Sequence, residues 1–152
     1  MSREVSAGLL PLFDRLVSDS SGAIDGVLLD PSGLMRSLER DLSRLMNTRN
    51  GMTIEAFLVA VPDVLCYGLP DVTGLWPSSK HDRDTLVQVL EHSIAAFEPR
   101  LSRVLVEVAT DPDVQTRARV RLSAAVKVGR ELRRVDFRLA VDAREGVAEF
   151  GT

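Results

Sequence analysis

The chain has 152 residues, 45% of them hydrophobic, and a formal net charge of −3. That length suits one domain with enough apolar residues for a real core, and the charge gives no general pull toward nucleic acid or an anionic membrane. A single cysteine, Cys66, excludes an internal disulfide and suits a reducing compartment. No apolar run approaches the roughly 20 residues of a membrane helix, and no basic-then-apolar leader opens the sequence. The expectation is a cytoplasmic protein that does not insert into a membrane.

Residues 8–17, "GLLPLFDRLV", carry Leu9, Phe13, Leu16 and Val17 at helical spacing. A helix this short is marginal alone in water, so it must dock on its own domain or on a partner. The loose "SDSSGAIDG" follows, so residues 1–28 read as an N-terminal extension with a short amphipathic helix. Residues 29–152 read as a single domain. Asp30-Pro31 is a strong helix start, a capping side chain followed by a proline suited to the first helical position. Leu34, Leu38, Leu42 and Leu45 then form a stripe, which Met35 and Met46 widen. Asn47, Asn50 and Gly51 should end this helix. Residues 53–66 read as a short helix or turn segment, and "YGLPDVTGLWPSS" as a loop in which Leu75 and Trp76 are expected as buried anchors. Over 81–98 a second helix shows Leu86, Leu90, Ile94 and Phe97 on one face, with Asp82 and Asp84 in its first turn.

The period then changes to two. Val104, Val106 and Val108 alternate in 102–109. Ala118, Val120, Leu122, Ala124, Val126 and Val128 do so in 117–128, and Val135, Phe137, Leu139 and Val141 in 134–142. A last short strand holds Val147 and Phe150. Such alternation marks antiparallel strands with one face on a core and one in water, and the linkers have hairpin lengths. The fold class is therefore α+β, with N-terminal helices on one face of a C-terminal antiparallel sheet of about four strands.

Catalytic constellations are not evident. His81 and His92 have no carboxylate or cysteine at ligand spacing, so no metal is expected. Cys66 among apolar residues reads as an inert buried thiol. No glycine loop that would cradle a phosphate and no nucleophile elbow occurs, so no cofactor is expected. Glu98 is the one acid at an element junction between apolar residues. Arg100, two positions on, would lower its pKa, the wrong direction for a general acid. Residues 115–138 hold eight basic and two acidic residues. Arg117, Arg119 and Arg121 read as a solvated strand face, a contact for an acidic protein surface, or a phosphate contact. The lack of accompanying aromatics disfavours nucleic acid.

"FEPRL" at 97–101 places two opposite charges around a proline. Pro99 stops the helix and fixes Glu98 and Arg100 at the rim of the core. Two readings stay open. One is an internal cap, with Arg100 on helix carbonyls or on Glu98. The other is a two-signed contact for a partner.

"LFDRL" (12–16), "SLERDLSRLMNTR" (37–49), "YGLPD" (67–71) and "IAAFEPRL" (94–101), followed by a strand-rich end, together resemble one family. It is TssE, the small baseplate subunit of bacterial type VI secretion systems, within the phage baseplate-wedge proteins once labelled lysozyme-like. Met46 departs from the leucine expected before "NTR", a volume-conserving change. The resemblance implies a structural, non-enzymatic protein that links the baseplate wedge to the contractile sheath and helps start its polymerisation. Implied partners are TssF, TssG, TssK-like wedge proteins and the sheath protein, with partner contact at Glu98, Pro99 and Arg100. An equivalent subunit of a phage tail or tailocin is the alternative, and a peptidoglycan hydrolase a more distant one.

Overall fold

A computed structural model describes residues 8–9, 28–146 and 148–151. Strand β1 (Gly8–Leu9) pairs antiparallel with β2 (Leu28–Leu29). The rest of the helix expected over 8–17 lies outside the described residues. Helix α1 (Pro31–Asn47) starts as expected: the Asp30 carboxylate accepts from the Gly33 amide at 2.7 Å, and Pro31 occupies the first turn. The short helix α2 (Ile54–Val59) is capped by Thr53, and one 3₁₀ turn covers Val64–Cys66. Helix α3 (Lys80–Phe97) is capped by Ser79. Asp82 does sit in its first turn and also accepts from the Trp76 amide. Asp84 pairs outward with Lys80.

Four strands follow: β3 (Leu101–Thr110), β4 (Arg117–Val128), β5 (Glu131–Asp142) and β6 (Ala148–Gly151). They form one antiparallel sheet in sequence order. The inward faces of β4 and β5 are the alternating residues read from the sequence, Ala118 to Val128 and Val135 to Val141, all buried. Leu34, Leu38, Leu42 and Met46 of α1 and Leu86, Val89, Leu90 and Ile94 of α3 close the core against that face. The architecture is α+β, helices first and then the sheet.

Three local readings change. The β4–β5 linker is shorter than expected, because Val128 pairs with Glu131 and Gly129 takes φ +62° in a two-residue hairpin turn. In β3 Val104, Val106 and Val108 lie on the core side as read, but the alternation breaks at the start of the strand. Four residues, Ser102 to Leu105, oppose three on β4, Ala125 to Ser123, and Arg103 adopts φ +53°. This bulge flips the parity of the strand, so that Leu101 and Val106 both face the core. Trp76 is 44% exposed rather than a buried anchor, while Leu75 packs half-buried against the core. Pro77, the next residue, is buried, and its carbonyl accepts from Arg83 and Thr110. The loop is anchored there, and the indole is left outside.

Candidate partner-binding site

Glu98 is the C-cap of α3, its amide donating to the Ile94 carbonyl at 2.9 Å. The Leu101 amide donates to the Glu98 carbonyl at 3.1 Å, so Glu98 to Leu101 make a β-turn with proline at its second position, where its fixed φ fits. "EPRL" is thus the hinge between the last helix and the first strand of the sheet.

The turn folds Arg100 back under the helix end. Its Nε donates to Glu98 Oε1 at 2.6 Å and its Nη2 to Glu98 Oε2 at 2.6 Å, a two-point fork on one carboxylate. Nη2 also reaches Asp41 Oδ2 at 2.6 Å, and Nη1 donates to Ser37 Oγ at 3.0 Å. Burial alone would lower the Arg100 pKa, but the bonds and charges of Glu98 and Asp41 outweigh it and raise it. Glu98 is only 4% exposed, while 26% of the Arg100 side chain reaches solvent. A carboxylate near a helix C-terminus is unfavourably placed, and the fork offsets that.

Of the three residues singled out in the sequence, Pro99 is exposed, Arg100 is partly exposed and Glu98 is sealed. Arg100 pairs with Glu98, as the internal-cap reading expects, and also ties the corner to α1 through Asp41 and Ser37. Those two residues were missed by sequence reasoning. Their signal was an i,i+4 spacing within "SLERDL", but no sequence rule joins them to Arg100. Tyr67 was missed as well. Its ring packs edge-on against Phe97, with centroids 5.4 Å apart. Burial, then the charge of Asp41 and, more weakly, of Glu98, raise its pKa, so the phenol stays a neutral donor at the rim. The outward surface is therefore Pro99, the edge of Arg100, Asp41 and Tyr67.

The other stretches singled out in the sequence lock the helices together. The Leu69 amide donates to the Thr48 carbonyl and the Asn50 amide to that of Leu69, at 2.9 and 3.1 Å. Ser93 Oγ of α3 donates to the Gly68 carbonyl at 3.0 Å. Arg49 donates to the carbonyls of Met46 and Gly146, joining the end of α1 to the turn before β6. Cys66 is buried, its Sγ 3.9 Å from the Val61 carbonyl, and His92 packs edge-on against Phe57.

The family model for baseplate wedge protein gp25 matches residues 32–131, α1 through the start of β5. The chain belongs to that family. As a gp25-family protein it is a structural baseplate subunit. A solved structure described as the baseplate complex from the type VI secretion system contains a chain of similar fold. The TM-score is 0.53 and the identity 23%, with 73% of this chain and 96% of that one covered. A comparison with curated proteins gives no match. No helix among the described residues is long and apolar enough to cross a membrane, and no group of three or more metal-ligating side chains occurs among them.

Proposed function

We propose that this protein is the TssE-like subunit of a type VI secretion baseplate, which works in the cytoplasm to join the wedge to the contractile sheath and start sheath growth. The carrying observation is an unfinished sheet edge. β6 pairs only with Arg138–Val141 of β5. Residues 131–137 of β5 therefore have a neighbour on one side only among the described residues. At the opposite margin, the β3 backbone is partly taken up: Glu91 of α3 accepts from the Val106 amide at 3.2 Å, and the bulge disrupts the ladder. The β5 edge is the one suited to accept a strand from a sheath subunit. Arg133 and Arg134 on it oppose pairing between like copies.

On this reading the corner of Pro99, Arg100 and Asp41 meets the wedge partners TssF and TssG, with Glu98 holding Arg100 in place from beneath. The exposed Val59, Val61, Val64 and Leu65 form an apolar knob suited to the same kind of protein contact. Both oxygens of the buried Glu98 carboxylate are taken up by Arg100, which supports a bracing, non-catalytic role over peptidoglycan hydrolysis. A zymogram with clear lysis by the purified protein, lost in Glu98→Gln, would reverse that.

Hydrogen exchange tests the edge. Outward amides within 131–137 should exchange readily in the free protein and become protected when sheath subunits assemble on it. Sheath assembly with exchange in 131–137 unchanged rules out strand addition there. The family name favours one other reading, a phage-tail wedge. Neighbouring genes for a ring ATPase and TssF/TssG-like proteins support the secretion assignment, and capsid and tail-fibre genes support the phage one.

A further inference from the structure

The solvent face of the sheet carries a charge conflict that the fold leaves standing. In register, Arg121 of β4 lies directly opposite Arg138 of β5, and like charges facing each other across strands are destabilising. Neither guanidinium makes an ion pair or a side-chain hydrogen bond among the described residues, Arg121 acting on Asp136 through its charge alone, whereas Arg119 and Arg134 do. Arg119 turns to Asp111 at 3.0 Å and Asp113 at 3.4 Å, and Arg134 reaches Asp136 at 3.3 Å. The Asp136 carboxylate is held by Ser123 at 2.5 Å. Glu107 stands in register with Arg121 on β3 without forming an ion pair. Because Arg119 leans away, its register neighbours Ala109 and Ala140 leave a depression. The resulting cavity is about 630 Å³, lined by Glu107, Ala109, Arg119, Arg121, Arg138 and Ala140 among others.

We propose that this concave face binds an extended, carboxylate-bearing segment of a protein partner, its acidic side chains seated between Arg121 and Arg138. Adjacent strands lie roughly 4.8 Å apart, so two opposed guanidinium forks there can clamp one carboxylate or take two successive ones. Arginine suits that planar, two-point contact better than lysine. A peptide fits better than a nucleic acid for two reasons. Glu107 and Glu149 also line the cavity, and they would repel a backbone charged at every step, whereas a peptide can place a neutral or basic residue there. Phe137 is buried in the core, and Phe150, although it borders the cavity, stands in register with the buried Leu139 and packs against the core, so the face offers a poor stacking platform for bases. This surface is separate from both the β5 edge and the Glu98 corner, and it stands or falls independently of them.

The test uses the full chain and a short labelled peptide alternating aspartate with serine, read by fluorescence anisotropy. An asparagine-for-aspartate peptide and a single-stranded oligonucleotide of equal charge are compared beside it. The acidic peptide should bind, weakening as salt rises, and the asparagine peptide should not. Arg121→Gln with Arg138→Gln should weaken binding by roughly tenfold or more. The thermal midpoint of that variant should hold or rise, because the opposed charges are gone. Lys127→Gln, further along β4, should change nothing. If the double variant melts lower, Arg121→Lys decides instead: it keeps the charge and loses the fork, so binding must still fall. Absence of peptide binding, equal binding by the variants, or tighter binding of the oligonucleotide overturns the proposal.

Discussion

Removing the Arg100 side chain would leave the buried Glu98 carboxylate with no charged partner and Ser37 Oγ without its donor. Stranding a buried charge is far worse than never having had the pair. Since a quarter of Arg100 is in solvent, the low end applies. Arg100→Ala should cost about 2–3 kcal/mol, seen as a lower urea midpoint at unchanged slope. Arg100→Met combined with Glu98→Gln should cost less than Arg100→Ala alone, because no uncompensated charge remains. In conditions where each variant is fully folded, capture of TssF/TssG should still drop for Arg100→Ala. Full capture there would reduce the corner to an internal brace. Two charges flanking a proline at a helix end were legible in the sequence. Their third partner, Asp41, lies 59 positions away, and local rules do not reach that far.

Among the elements, the "YGLPD" loop is the clasp between α1 and α3, and Gly68 is its tightest point. It has φ +106°, and a Cβ there would sit 2.5 Å from the Thr48 carbonyl oxygen, which already accepts from Leu69. Backbone strain and collision add, so Gly68→Ala should cost more than about 3 kcal/mol. Gly74, at φ +85° with nothing within 4 Å of the same position, bears strain alone, and Gly74→Ala should cost roughly 1–2 kcal/mol. Thermal melts of the two variants check the order, and equal losses would mean that the clasp yields. From the sequence both glycines read alike, as loop breakers, because the close approach of Thr48 exists only once α1 and the loop have docked. Trp76 was misread for a similar reason: loop composition does not say which of two adjacent bulky residues turns inward.

Across the whole molecule, acid stability should follow several aspartates whose pKa values lie below the ordinary carboxylate value. Asp111 is lowered first by the Asp113 amide and then by Arg119, Asp136 by the Ser123 hydroxyl and then Arg134, and Asp142 by the Arg144 amide and then Thr116. A lowered folded-state pKa adds stability that is fully present above the unfolded value of about 3.9. That stability is lost as pH falls through the lower folded value. Urea midpoints should therefore stay level as far as these groups are concerned down to about pH 5 and decline below about pH 4. Asp111→Asn should flatten part of that decline, and an acid limb identical to that of the unaltered protein would show that Asp111 takes no part. All three aspartates lie at or between strands of the sheet. Their grouping was not legible in advance, because Asp111 and Asp142 depend on turns at 111–116 and 142–146 bringing amides to carboxylates, and Asp136 depends on the register that sets Ser123 opposite it.

The amino-acid order alone determined the layers of this protein. The direction of each side chain follows from the backbone repeat, so a period near four marks the helical stripes and a period of two marks the sheet, without reference to any distant contact. The folded chain decided what no repeat can encode. One extra residue near the start of β3 put Leu101 on the same face as Val106, and the shortness of β6 left residues 131–137 of β5 with a neighbour on one side only among the described residues. Two arginines far apart in the chain came to face each other because hairpin register, set by a two-residue turn, brings distant positions into line.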